Sequence, residues 1–309
     1  MHLHEKKSWE SGPVMIPEYP DFKPLEAGDK DDLLGALAGK NPQESELAVG
    51  NLFIWRDFDR PQLTRIRKNI CLLLSPLNEE PFFLEPLGEN GVEETIGTCL
   101  QHAGRLARVS EGFAARIADG PYRLCTIRSQ FDYLYRREDL AEFRGKKYDG
   151  KRNHIKHFKA AFPDWQYVGL EPGTREECLV LYEVWTGKKK ETQYFRRLDE
   201  VVQRQAIVRA FEAFGPLGMS GGAILAKGRL TGFILGSPLN RDTVTVHFQY
   251  GNPDAPGVMQ TLLQEAAART FCRFAFMNLE QDLGIAGLRT AKFSYHPMRL
   301  VKKYHVEPA

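Results

Sequence analysis

Residues 220–249 read SGGAILAKGRLTGFILGSPLNRDTVTVHFQ, and parsing them decides the architecture. Ser220–Ala226 and Leu230–Gly236 are apolar runs separated by Lys227-Gly228-Arg229, the pattern of two strands joined by a tight turn. Thr243–Gln249 alternates β-branched residues with others, which is the period of a third strand. Beyond it YGNPDAPG (250–257) collects turn formers, Val258–Thr270 puts Val258, Leu262, Leu263 and Ala266 on one helical face, and Phe274–Leu279 reads as a further strand. Upstream, Trp165–Leu170 is extended and runs through Gly173 into an amphipathic helix. The order is strand, helices, three antiparallel strands, helix, strand. It predicts a mixed, mostly antiparallel sheet flanked by helices, of the α/β (α+β) class.

Features of this half recur earlier in the chain. Leu25-Glu26-Ala27-Gly28-Asp29 precedes Asp31, Asp32, Leu33, Leu34 and Leu37; Leu170-Glu171-Pro172-Gly173-Thr174 precedes Glu176, Glu177, Cys178, Leu179 and Tyr182. Each reads as a short strand, a glycine turn, an Asp or Thr N-cap, and a helix with acids in its first turn. Gly91-Val92 and Gly257-Val258 each open a later helix. The spacing predicts a duplication, with one domain over 1–150 and a second over 151–309.

At 309 residues, 42% hydrophobic and 27% charged, the chain is long enough for two cores. A net charge of +2 argues against a nucleic-acid coat protein and confines any polyanion contact to a local patch. The five cysteines are scattered and never spaced C-x-x-C, as expected of reduced thiols rather than a disulfide framework or zinc ribbon. No apolar run follows the charged start MHLHEKKSWESGP, and Ile70–Leu74 and Phe233–Leu235 are far too short to cross a bilayer. The expectation is a cytoplasmic protein. None of the eight histidines has metal-ligand spacing, so no metal is expected; a tightly bound cofactor is not expected either.

Three segments carry a resemblance: NLFIWR (51–56), DYLYRREDLAEFRGKKYDGKRNHIKHF (132–158) and NLEQDLGIAGLRTAKFSYHPMRLVKKY (278–304). In order and spacing they resemble the stand-alone bacterial members of the phosphatidylglycerol lysyltransferase C-terminal-domain family, over nearly the whole chain from Phe22 onward. The resemblance implies two tandem GNAT-like acyltransferase domains, related to the Fem-type aminoacyltransferases. It also implies transfer of an acyl or aminoacyl group from coenzyme A or aminoacyl-tRNA to an amine or hydroxyl of a small molecule, peptide or lipid head group. The chain departs from the family pattern in having Gln249-Tyr250 where the family ends a strand in an acid and a lysine. It also lacks the Gly-rich pyrophosphate loop of GNAT enzymes, and resemblance to the stand-alone members implies no membrane half like that of the lysyltransferases.

Candidate site residues follow. Glu280 and Asp282 alternate at a strand end, which would point both carboxylates the same way as proton acceptors; alternatively Asp282 caps the next helix and Glu280 is solvated or paired with Arg289. The resemblance implies a carrier-phosphate and carbonyl contact for Lys292 and leaving-group protonation for Tyr295, which could instead simply pack. His296, held extended by Pro297, is either a base or a satisfied structural group. Gly251 and Gly257 lie where a strand meets a helix N-terminus and would offer N–H groups to a phosphate, although an ordinary connection looks the same. Asn51 and Trp55 are candidates for an acceptor groove, with Phe53 in the core.

The stretch GKKYDGKRNHIKHF (145–158) holds five Lys and Arg against one Asp. A charge run is usually a solvated helix face, yet this one has few acids to pair at i,i+4. Read as a helix over 147–162 at the junction of the halves, it offers Lys146, Lys147, Lys151, Arg152 and Asn153 to carrier phosphates, Arg152 foremost, while Tyr148 and Ile155 pack. A non-catalytic module that binds tRNA or another phosphorylated ligand on the same duplicated fold is the rival reading.

Overall fold

The computed structural model describes residues 15–189 and 197–309; the charged start at 1–13 lies outside them. The chain forms two compact units, one taking in residues up to Phe131 together with Val301–Ala309, the other Asp132–Leu300. The position 150/151 therefore falls inside the second unit, and the C-terminal strand belongs to the first.

Each unit is built on a seven-stranded sheet. Edge to edge, the first runs Lys23–Pro24 (β1), Gln62–Ile66 (β2), Asn69–Leu74 (β3), Phe82–Phe83 (β4), Leu106–Ser110 (β5), Lys303–Pro308 (β14) and Tyr122–Thr126 (β6). The second runs Gln166–Gly169 (β8), Ser220–Ala226 (β9), Arg229–Pro238 (β10), Thr243–Gly251 (β11), Phe276–Asn278 (β12), Asp132–Arg136 (β7) and Arg299–Val301 (β13). Laid side by side, both sheets show three antiparallel pairings, one parallel pairing and a further antiparallel pairing. The sixth place in each is filled from the other half of the sequence, by β14 in the first and β7 in the second. The fold is thus two tandem domains, each a mixed, mostly antiparallel sheet flanked by helices, with exchanged strands.

Local geometry repeats as well. Glu26 (φ −122°, ψ 161°) and Glu171 (φ −125°, ψ 159°) open matching 3₁₀ turns, Ala27–Asp29 and Pro172–Thr174, that lead straight into helices Lys30–Leu37 and Arg175–Lys189. Neither expected N-cap acts as one. Asp29 instead takes the Lys23 ammonium at 2.7 Å and the Glu26 N–H at 2.8 Å, and the Thr174 hydroxyl donates to Glu171 O at 2.8 Å. Gly91 and Gly257 both stand left-handed before the helices Val92–Ala103 and Val258–Glu265.

In the second unit the expected hairpin forms between β9 and β10. Lys227 and Gly228 both take positive φ, as a two-residue turn matched to strand twist requires. Several boundaries differ: β12 is shorter than Phe274–Leu279, β10 and β11 run on to Pro238 and Gly251, the basic helix is Asp149–Ala161, and helix Val258–Glu265 passes into a π-turn at Ala266–Thr270. Ile155 and Phe158 anchor the basic helix, Asp149–Ala161, in a core with Val244, Leu262, Leu263 and Met277. The first unit has its own core around Leu106, Val109, Ile96 and Phe83. Among the described residues no helix is long and apolar enough to cross a membrane.

Candidate functional site

The site of the second unit grows from an extra residue in β11. Leu235 pairs with Phe248 and Gly236 with Val246, so His247 is inserted as a β-bulge. Strict alternation would put residues 246, 248 and 250 on one face. Instead Val246 joins the core beneath helix Val258–Glu265, while Phe248 and Tyr250 stack with each other and Tyr250 meets Tyr182 edge-on. The parallel ladder between β11 and β12 ends at Thr245 and Asn278, and β11 continues to Gly251 beyond it.

The His247 side chain has no exposed surface and both ring nitrogens are engaged. Nε2 lies 2.8 Å from Ser237 Oγ and Nδ1 lies 2.9 Å from Glu280 Oε1. Glu280 itself keeps 19% of its side chain exposed, so the chain Ser237–His247–Glu280 leads from the interior to an accessible carboxylate. Glu280 has φ +56°, a conformation a non-glycine residue holds only when its surroundings impose it. Here they do. Its N–H donates to Asn278 Oδ1 at 2.7 Å, and its carbonyl accepts from Tyr133 N–H at 3.2 Å.

That backbone turn separates two residues expected to point together. Asp282 is fully buried, taking Tyr133 Oη–H at 2.7 Å, both Arg289 donors at 3.0 and 3.1 Å and Gly284 N–H at 2.9 Å. Asp282 is consequently a loop and helix anchor, and Arg289 pairs with it rather than with Glu280. Lys292 also differs from expectation, because its ammonium donates to the carbonyls of Leu279 (2.6 Å), Glu280 (3.2 Å) and Gln281 (2.5 Å). With its three donors so placed, Lys292 shapes the loop that carries Glu280.

The other candidates cluster around the basic helix. Tyr295 is buried beneath the Lys151 ammonium, 3.7 Å from its ring centroid, and burial pushes its phenol well above the ordinary value. Lys151 donates to Ser294 Oγ at 2.6 Å, and partial burial lowers its pKa. His296 is exposed at φ +54°, not extended, with Nε2 3.2 Å from Lys147 O. Arg152 binds the carbonyls of Phe143 and Gly145 and the carboxylate of Asp149, so it closes the turn before its own helix. Lys146, Lys147 and Asn153 are exposed. Among the described residues neither Lys147 nor Lys151 has a carboxylate partner.

Gly257 is required by contact. A Cβ there would lie 2.3 Å from His154 O and 2.9 Å from Phe158 Cβ, so this glycine lets helix Val258–Glu265 meet the basic helix. Gly251 is similarly crowded by Val258. Gln249 donates to Met259 O at 2.9 Å and Tyr250 Oη–H to Gln203 at 2.6 Å, so the Gln-Tyr pair is tied into the fold. Asn51 and Trp55 belong to the first unit, at and just after helix Val49–Ile54, where Asn51 Nδ2 donates to Ser45 O at 3.0 Å.

Sequence reasoning missed His247 and Ser237. The signal available was a histidine in the middle of a β-branched strand, but nothing in TVTVHFQ announces a bulge.

Comparison with known proteins places these features in context. The sequence pattern described as phosphatidylglycerol lysyltransferase, C-terminal, matches residues 38–307. A conserved protein of unknown function from Bacteroides thetaiotaomicron superposes with a TM-score of 0.84 at 27% identity, over 96% of this chain and all of that one. L-PGS from Bacillus licheniformis superposes with a TM-score of 0.60 at 16% identity, over 95% of this chain and 94% of that one. The C-terminal domain of a protein described as a lysylphosphatidylglycerol synthetase, from Agrobacterium fabrum, gives 0.60 at 13% identity, with 92% of each chain covered. Among curated proteins nothing matches.

Proposed function

Because the chain belongs to the phosphatidylglycerol lysyltransferase C-terminal family, we propose that it is an acyl or aminoacyl transferase whose chemistry sits in the second unit. The donor is an activated acyl ester or thioester on a carrier, aminoacyl-tRNA or coenzyme A, and the acceptor is an amine or hydroxyl on a small molecule, peptide or lipid head group. The observation that carries this reading is the accessible Glu280 carboxylate, fixed by buried His247, beside the point where β11 and β12 part.

Acyl transfer needs a deprotonated nucleophile and a positioned carbonyl. Glu280 accepts the acceptor's proton, a role that contributes about 10²–10⁴-fold in rate when a general base is well placed. Past Thr245 β11 pairs with β10 but no longer with β12, and the edge left by β12 is the ladder we assign to an extended acyl carrier, as strand edges are for peptides. Lys147 and Lys151, free of carboxylates, supply positive charge for carrier phosphates. Ser237 has no exposed surface, so its hydroxyl orients His247 and is not itself the nucleophile. We place the reaction in the cytoplasm, where both carriers occur.

Thermal-shift titration with acetyl-CoA, free CoA and charged tRNA, followed by turnover, tests the reading. Stabilisation by a carrier together with loss of its acyl group supports it. Salt-sensitive tRNA binding with no transfer identifies a binding module in its place.

A further inference from the structure

We propose that Lys151 is an acylation site, whose Nζ takes the acyl group of a small acyl phosphate. The inference rests on what surrounds this lysine and does not require the chain to be a transferase. Three lysines of the basic helix differ in their surroundings. Lys159 lies 3.3 Å from the Glu265 carboxylate, and Lys156 is exposed. Lys151 is half-buried, with its Nζ 3.7 Å from the Tyr295 ring centroid and 2.6 Å from Ser294 Oγ. Four residues earlier, Lys147 lies over the Tyr148 ring, and the Tyr148 hydroxyl donates to Tyr295 O at 3.0 Å. Two amines thus rest on two linked tyrosines. Asp149, the acid of this stretch, is taken by Arg152, and burial pushes both phenols up, so the tyrosines stay neutral at physiological pH. His296 stands edge-on to Tyr148 and adds no negative charge. Among the described residues no carboxylate pairs with Lys151.

This setting enlarges the neutral, nucleophilic fraction of the amine. Partial burial lowers the Lys151 pKa, and a second cation four residues away acts in the same direction, while the face of Tyr295 attracts the ammonium and works against them. Desolvation, or a neighbouring cation, is what makes a lysine a nucleophile. Ser294 holds the amine in place. Its own proton goes to Ala291 O at 2.6 Å, so its oxygen accepts an Nζ–H and leaves the amine's lone pair for an electrophile. An acylated Lys151 keeps one N–H for Ser294 and no longer carries a charge in a half-buried place. Lys147 selects the donor, because its exposed ammonium, without a carboxylate, holds a phosphate dianion beside the amine. In the step, the Nζ lone pair attacks the acyl carbonyl. The C–N bond forms as the C–O bond to the phosphate breaks, and phosphate leaves with that electron pair. The proton shed by Nζ passes to the departing phosphate. Nothing is oxidised or reduced.

The test treats the full chain with acetyl phosphate, and in parallel with acetic anhydride as an uncharged donor, and follows each lysine by peptide mass spectrometry. With acetyl phosphate, Lys151 should react about tenfold faster than Lys156, and carboxylate-paired Lys159 no faster than Lys156. Lys147→Gln should slow the acetyl phosphate reaction at Lys151 about threefold or more and leave its reaction with acetic anhydride nearly unchanged. Added inorganic phosphate should slow the first reaction alone. Lys151 reacting no faster than Lys156 in the wild type would overturn the proposal, whatever the variant does. Preference for Lys151 with acetic anhydride only, or equal slowing of both donors by Lys147→Gln, would overturn the acyl phosphate as donor. Under the transferase reading the acetylated protein binds tRNA or CoA more weakly, since one of two phosphate-facing ammoniums is gone. Unaltered carrier binding by the acetylated protein would count against Lys151 in that reading and keep the modification site.

Discussion

The two units place different chemistry at the same point of the same sheet. In the second, the parallel pair is a long β11 with a bulge and a short β12, and the polar groups there end in an accessible carboxylate. In the first, β4 is only Phe82–Phe83 and the polar groups close on one another. Glu79 takes Arg105 at 3.0 Å and Arg108 at 3.1 Å, both guanidiniums lie over the Phe82 ring, and buried Lys303 pairs with Glu46. Each unit has a non-glycine residue at positive φ near there, Arg108 in the first and Glu280 in the second. The scaffold recurs in both units, and they differ in whether the charge held at this point is neutralised.

Breaking the buried anchor of the second unit should have the largest effect. Asp282→Ala removes a buried carboxylate that accepts from Tyr133 Oη–H, Arg289 and Gly284 N–H, and is expected to cost about 3 kcal/mol or more, read by denaturant unfolding. Removing a buried acid of the first unit should act with the opposite sign. Burial pushes the Asp59 carboxyl up to about 6 from 3.8, against the pull of Arg108 and with the push of Glu46 and Glu79. The folded state therefore holds a proton that the unfolded chain releases, and stability falls as pH rises through this window. Asp59→Asn should stabilise by up to about 3 kcal/mol above pH 6, with the gain vanishing below about pH 4.

Smaller effects test the helix pairing of the second unit. Gly257→Ala, strained at φ +90° and clashing with His154 O, should cost about 1–3 kcal/mol. Lys147→Glu should change stability by less than about 0.5 kcal/mol while lowering the salt slope of tRNA binding by about one or more, measured by filter binding across ionic strengths.

Local order was readable where the signal is local. The β9–β10 hairpin needs only two apolar runs and Lys227-Gly228, and the matched turns at Glu26 and Glu171 follow from LEAGD and LEPGT. Exchange of β7 and β14 was not readable, because strand pairing between distant segments leaves no periodic mark, and so the division at 150/151 missed the true topology. Within the site, Glu280 was visible at its strand end. The bulge at His247 leaves no mark in the strand pattern, and the burial of Asp282 and the capture of Lys292 by three carbonyls go with positive φ at Glu280 and Leu283 that composition does not reveal.

The most direct measurement compares acyl discharge from radiolabelled aminoacyl-tRNA and acyl-CoA by the wild type, Glu280→Gln and Asp59→Asn at pH 7.5, with a primary amine present. Transfer centred on the second unit predicts full activity in Asp59→Asn and a loss of about 10²-fold or more in a folded Glu280→Gln. Equal rates in Glu280→Gln and wild type, or collapse of activity in Asp59→Asn alone, would contradict it.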